Sequence, residues 1–371
     1  MGKIIVSVSR TFHDRSVTVM EDHKVKLILL EDRISRIKDD NIYPFLSILE
    51  LPKVINKIDY LIINSTWDKN SEKEIIDYFY KLKLVPKHIE VFNSWGENHH
   101  KLHAASGFYG SGFKKAICLS IDGFGGSILL PKTKNVQGKF TTSIFESSYP
   151  NNFKLKYANL WYEPHFNDTF EECYNDNEIY DYNSNLDIGN IYEAVSRYLG
   201  FSNASEHGKT MGLASYGKED KNIPPILYKN SLYGNANLFR SDKEIQTNLN
   251  PYLKIKNKNK AKNLAFLTQK AFNKVLINRV KQALNLSNTN NLVLSGGCAL
   301  NVIGNYLIKK LYPNINLYID PIANDACLSY GAAKYFYYKL NKSNISEPLK
   351  SLYCGPYYPK QKILSTINEY I

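Results

Sequence analysis

The sequence lacks paired cysteines. Its 5 cysteines, Cys118, Cys173, Cys298, Cys327 and Cys354, are scattered through 371 residues and never spaced C-x-x-C. That excludes a disulfide framework or a small structural zinc cluster as the organising device. Also missing is any run approaching the roughly 20 apolar residues of a transmembrane helix. The apolar stretch Lys3–Ser9 is too short for a signal peptide and reads as a buried strand, so a cytoplasmic protein without membrane partners is the simplest expectation. Acidic residues are in short supply, 35 against 47 basic ones, for a formal net charge of +12. This excludes an acidic solvating chain and leaves an anionic partner or a basic bias without local function. Stretches such as Lys254–Lys262, where lysines are interspersed with asparagines, favour the dispersed bias and argue against a nucleic-acid partner.

What is present is a globular composition, 43% hydrophobic and 22% charged, in a chain long enough for two to three units at about 150 residues each. The first third reads as strands at Lys3–Ser9, Ser16–Met20 and Lys24–Leu30. A helix near Tyr43–Leu51, a strand at Tyr60–Asn64, a helix over Ser71–Leu82, a strand at Ile89–Phe92 and a helix over His99–Tyr109 follow. A second meander is expected from Ala116–Asp122, Ser127–Leu130 and Lys139–Phe145. An Asn-, Asp- and Tyr-rich segment near 150–190 reads as loop or insertion. Helices at Asp187–Leu199, Ser205–Ser215 and Leu264–Leu284 lead to strand Leu292–Leu294, helix Cys298–Leu311, strand Asn316–Ile319 and helix Asp325–Tyr338. Two meander-plus-helix halves in tandem predict an α/β, duplicated architecture with a cleft between two lobes.

Five stretches carry chemistry. In Glu97–Ala105, His99 and His103 lie four apart and so share one helix face, where they can meet one ion. A hydrogen-bonded histidine cluster would look the same, and the H-E-x-x-H glutamate of zinc proteases is absent. Asp122 and Asp325, at a strand end and a helix start, are the best further ligands; two histidines and two carboxylates suit Fe²⁺, Mn²⁺ or Zn²⁺. After Asp122, the glycines Gly123, Gly125 and Gly126 allow a backbone to approach a phosphate closely, though hairpins use glycine in the same way. Ser295-Gly296-Gly297 runs from a buried strand into a helix, placing N–H groups against an anion or forming an ordinary turn. Glu206–Gly217 offers a carboxylate, Lys209 and several flexible positions. His13, beside Asp14 in the first hairpin turn, has the ring for a general base, or is simply a surface turn residue.

In order along the chain, Phe12–Ser16, Glu31–Lys38, Asn98–Phe113, Ser120–Gly123, Gly208–Gly217, Leu294–Asn301 and Asp325–Ala333 resemble the O-carbamoyltransferases that include nodulation-factor, cephem and aminoglycoside enzymes. The resemblance implies a duplicated actin-like, Hsp70-like (ASKHA) ATPase fold, with lobes at 1–114 and 115–345 and a nucleotide and metal cleft between them. It implies that His99, His103, Asp122 and Asp325 hold a divalent metal, most often iron. Gly123, Gly125, Glu206, Lys209, Ser295, Gly296, Gly297 and Asn301 would lie at the nucleotide. His13 would be the general base, with Lys38 a second catalytic residue. The implied reaction is attack of an acceptor hydroxyl, on a sugar or other small metabolite, on carbamoyladenylate with release of AMP. Residues 346–371 resemble the join to a C-terminal domain that forms carbamoyladenylate from ATP and carbamoyl phosphate, so a separate activating domain is expected. A homodimer is compatible with this reading. A tRNA threonylcarbamoyl-transferring relative and a non-catalytic ASKHA-fold binding subunit are the alternatives.

Overall fold

A computed structural model describes the chain apart from residues 1, 12, 39–42, 66–68, 94–95, 131–135, 164–178, 202–205, 230, 236–238, 242–246 and 250–257. Phe12, Cys173, Ser205 and residues 254–257 of the Lys254–Lys262 stretch therefore lie outside the described residues. Alternating apolar positions form three antiparallel strands, β1 (Ile4–Arg10), β2 (Ser16–Glu21) and β3 (Lys24–Leu30). Asp14 and Asp22 take φ of 55° and 51° in the two hairpin turns, a region aspartate tolerates because its short side chain bonds locally. Next come α1 (Glu31–Ser35) and α2 (Phe45–Leu49), whose first free N–H groups, at Leu46 and Ser47, donate to the buried Glu31 carboxylate at 2.9 and 2.8 Å. Then follow β4 (Ile58–Ser65), α3 (Lys69–Lys81), β5 (Pro86–Asn93) and α4 (Asn98–Ser111). The sheet order is β3-β2-β1-β4-β5, with β1, β4 and β5 parallel.

The second half holds β6 (Lys115–Ile121), β7 (Ser127–Leu129), β8 (Gln137–Ser148), β9 (Asn152–Tyr162), β10 (Tyr180–Asn183), α5 (Ile188–Tyr198), α6 (His207–Ala214), β11 (Phe239–Ser241), β12 (Thr247–Leu249) and α7 (Lys258–Asn285). These are followed by β13 (Asn291–Ser295), α8 (Val302–Leu311), β14 (Asn316–Ile319), α9 (Leu328–Asn341) and α10 (Lys360–Tyr370). The large sheet runs β10-β9-β8-β6-β13-β14, with β7 paired to β8. Its inner path, β9-β8-β6-β13-β14, repeats β3-β2-β1-β4-β5 in both chain order and strand direction. The segment near 150–190 is not simply loop, because β9 is the third strand of the second meander and β10 lies parallel beside it. The polar start of β9, with Asn152 and Lys154, is exposed, while Ala158, Asn159, Leu160, Trp161 and Tyr162 are buried.

The layers follow from which strand positions are apolar on each face. Val6, Val8, Val17, Val19, Leu61 and Ile63 pack outward against Ile48 of α2 and Ile75 and Phe79 of α3. The opposite face, with Ile5, Met20 and Ile62, joins α4, α9 and Cys118, Phe145 and Val293 of the second sheet in one central core. Ile117, Leu119, Ile121, Leu292 and Leu294 point the other way, onto α5, α7 and α8. The two central helices cross over: α4 follows the first sheet but packs on β6 and β13, and α9 follows the second but packs on β1, β2 and β4. Gly331 makes their contact close, since a Cβ there would stand 2.2 Å from the Leu102 carbonyl oxygen. Beyond α9 the chain returns along the first lobe, with Leu349 N–H on Gly110 O and Ile28 N–H on Cys354 O, both within 3.1 Å. Among the described residues no helix is long and apolar enough to cross a membrane.

Candidate active site

The crossing helices bring four side chains from three places into one cluster. His99 and His103 stand one turn apart on α4, Asp122 follows the C-terminal end of β6, and Asp325 opens the 3-10 turn Asp325–Cys327 that leads into α9. Their ligand atoms all lie within 4.8 Å of one another. Each histidine Nε2 is 3.4 Å from Asp122 Oδ2 and 3.4 Å from Asp325 Oδ1, and the two Nε2 atoms are 3.2 Å apart. Donors held about 2.0–2.2 Å from one ion stand about 3–3.5 Å from their neighbours, so the spacing suits a shared cation.

Asp122 and His103 are also held from their outward sides, which turns their other atoms inward. Asp122 Oδ1 accepts the backbone N–H of Gly123 at 2.8 Å and of Gly297 at 3.3 Å. His103 Nδ1 meets the Cys327 thiol at 3.2 Å. Burial alone would raise both aspartate pKa values, yet the facing imidazoles hold Asp122 and Asp325 well below the usual carboxylate range. Burial would lower the two histidines, but the carboxylates outweigh it at His99, as do Cys327 and the carboxylates at His103, and both are raised. Two carboxylates and two imidazoles that share protons in a buried pocket form a donor set that Fe²⁺, Mn²⁺ or Zn²⁺ fits.

His100, the third histidine of the run, turns away. Its Nδ1 pairs with Ser143 Oγ at 2.8 Å, and burial, with the charge of His99 next, pushes its pKa down to about 3. It is a neutral core residue, and it also accounts for Gly125: a Cβ there would lie 2.5 Å from His100 Nε2. Gly123 faces open space, with only Asn190 Nδ2 at the edge of contact.

The Ser295-Gly296-Gly297 turn is tied to the same place. Gly296 has φ of 83°, and a Cβ there would stand 2.3 Å from the Ile121 carbonyl oxygen. Ser295 Oγ pairs with Ser120 Oγ at 2.9 Å. The N–H that sequence reasoning offers to a phosphate, that of Gly297, thus orients Asp122; glycine-rich turns signal close backbone approach but not to what. Asn301 caps α8 through Gly304 N–H at 2.9 Å and forms a two-way amide pair with Gln269 at 3.1 and 3.0 Å. Glu206 and Lys209 form an ion pair with each other at the start of α6, and Lys38 is exposed beyond α1.

His13 lies in the turn after β1, the counterpart in the first lobe of the Asp122 turn after β6. Its Nδ1 is 2.8 Å from Asp14 Oδ2. Burial would lower its pKa, but the Asp14 hydrogen bond and the charges of Asp325, Asp14 and Asp122 raise it to about 10. The charges of Asp122 and Asp325 in the four-residue cluster thus reach His13.

Residues 72–334 match the family described as Carbamoyltransferase N-terminus. The chain belongs to that family. Relatives include the uncharacterised protein MJ1058 of Methanocaldococcus jannaschii, 25% identical over 98% of this chain and 55% of the relative. Nodulation protein NolNO of Sinorhizobium fredii is 23% identical over 93% of this chain and 49% of its own length. The chain spans about half the length of these relatives. Full-length HypF in its phosphate- and nucleotide-bound form superimposes with a TM-score of 0.53 at 17% identity, over 91% of this chain and 56% of that one. HypF of T. kodakarensis gives 0.52 at 13% identity, over 91% and 48%. With the repeated sheet path, these establish the duplicated actin-like ATPase fold of the family.

Proposed function

We propose that this chain transfers a carbamoyl group from carbamoyladenylate to a hydroxyl of a small metabolite or sugar. The observation that carries the reading is a buried two-histidine, two-aspartate cluster in a carbamoyltransferase-family fold, with the His13–Asp14 pair near enough for the charges of Asp325 and Asp122 to raise the His13 pKa. Carbamoyladenylate would come from a separate activating domain acting on ATP and carbamoyl phosphate.

Asp14 accepts from His13 Nδ1, which leaves Nε2 to take the proton of the acceptor hydroxyl. The hydroxyl oxygen then bonds to the carbamoyl carbon, the bond from that carbon to the phosphate oxygen breaks, and AMP leaves with the electron pair. A divalent ion held by His99, His103, Asp122 and Asp325 would supply Lewis-acid polarisation of the carbamoyl and phosphate oxygens. His13 serves as a base only when neutral, and the charges of Asp122 and Asp325 oppose that; their pull would be offset were those carboxylates to hold a cation. The Ser295–Gly297 and Gly123–Gly125 turns, with Glu206, Lys209 and Asn301, would shape the nucleotide side of the cleft, and Lys38 the acceptor side.

The test supplies metal-loaded full chain with carbamoyladenylate and a panel of polyhydroxylated acceptors, following AMP and the carbamate ester by mass spectrometry. Acceptor-dependent AMP release is expected, with His13→Ala slower by about 10²–10⁴-fold and its metal content unchanged. No ester with any acceptor would overturn the reading.

A further inference from the structure

We propose that Cys327 is a positioning residue for the metal centre: its thiol accepts the Nδ1–H of His103 and thereby presents the Nε2 lone pair to the ion. The inference rests on the metal site of the function proposed above, and on nothing in its chemistry beyond that site.

The geometry is that of a clamp. Asp325 and Cys327 belong to the same 3-10 turn. Asp325 Oδ1 faces His103 Nε2 at 3.4 Å, while Cys327 Sγ meets Nδ1 of the same ring at 3.2 Å. One three-residue turn thus grips opposite edges of one imidazole, and both His103 and Cys327 are wholly buried. A neutral imidazole carries its proton on one nitrogen only, so an acceptor at Nδ1 decides which nitrogen is free to bind a cation. Asp320 and Ser106 also lie near the thiol. The turn itself is anchored: Cys327 N–H bonds to Asn324 O at 3.0 Å, and Ser16 Oγ of β2 donates to Ala326 O at 2.8 Å. The ring therefore takes its orientation from a turn fastened to the first lobe, although His103 itself packs on the second.

A packing role and an orienting role predict opposite rankings of two substitutions. Cys327→Val fills the space without an acceptor; Cys327→Ser keeps an acceptor in a smaller volume. Co²⁺ is titrated into the metal-free full chain against a competing chelator, with circular dichroism and thermal unfolding of the metal-free variants as the fold control. The orienting role predicts that Cys327→Val binds about 10–100-fold more weakly and shifts the Co²⁺ d–d absorption, whereas Cys327→Ser lies nearer the parent in both. Binding by Cys327→Val equal to the parent, or tighter than by Cys327→Ser, would overturn the role of Cys327 and leave the metal site standing. A parent chain that binds no Co²⁺ would overturn the site and this inference together.

Discussion

His99 Nε2 and His103 Nε2, on successive turns of α4, face each other at 3.2 Å with Asp325 Oδ1 3.4 Å from both. Two imidazole nitrogens so placed between carboxylates hold protons when no cation is there, and a cation must displace them. The purified chain is expected to hold one equivalent of divalent metal by elemental analysis, and His99→Ala to lose it while its circular dichroism stays unchanged. Affinity should rise with pH as the shared protons leave. A parent chain free of metal after loading, or a His99→Ala variant that retains it, would sink the site.

Gly296 joins β13 to the turn that holds Asp122, in a left-handed conformation pressed against Ile121. Gly296→Ala adds both backbone strain and a clash, and should cost upwards of roughly 1–3 kcal/mol in denaturant unfolding. Because Gly297 N–H donates to Asp122, the same change should weaken metal binding. Unaltered stability would show that the turn can relax away from β6.

Arg279 of α7 is buried among hydroxyls and carboxylates. It donates to Tyr157 at 2.6 Å and to Tyr233 at 3.3 Å, and its guanidinium is 4.0 Å from Asp187, which also accepts from Thr141, Thr142 and Asn159. Truncation by Arg279→Ala leaves the Asp187 charge buried without its cation, at a cost of about 3–5 kcal/mol. Tyr233→Phe, which removes one hydroxyl, should cost about 1 kcal/mol. Comparable small losses in urea melts of both variants would mean that the network is not organised around the arginine.

Asp59, at the start of β4, accepts from Lys87 Nζ at 2.7 Å and from Ile4 N–H at 2.9 Å, and these hold its pKa down to about 2. A carboxylate with a depressed folded-state pKa stabilises the fold above its unfolded value near 3.9 and loses that contribution as pH falls through about 2. Asp59→Asn should therefore melt below the parent at pH 7, with the gap closing between pH 4 and 2. A gap independent of pH would assign the effect to the lost hydrogen-bond geometry.

The sequence by itself determined the local pieces. Period-two apolar runs placed β1, β2 and β3; the four-residue spacing put His99 and His103 on one face of α4; and glycines marked the turns after β6 and β13. These signals survive because they depend on near neighbours. The third strand of the second meander was hidden, because β9 carries polar residues on its exposed part and owes its place to pairing with β8 rather than to its own pattern. Tertiary structure alone decided which glycine meets a ligand side chain and which merely makes room for His100. It alone paired Asn301 with Gln269, gathered the polar groups around Arg279, and brought the Asp325–Cys327 turn of one lobe's chain onto a histidine more than two hundred residues away. The last of these needs the exchange of α4 and α9 between two sheets, a long-range packing that no window of sequence contains.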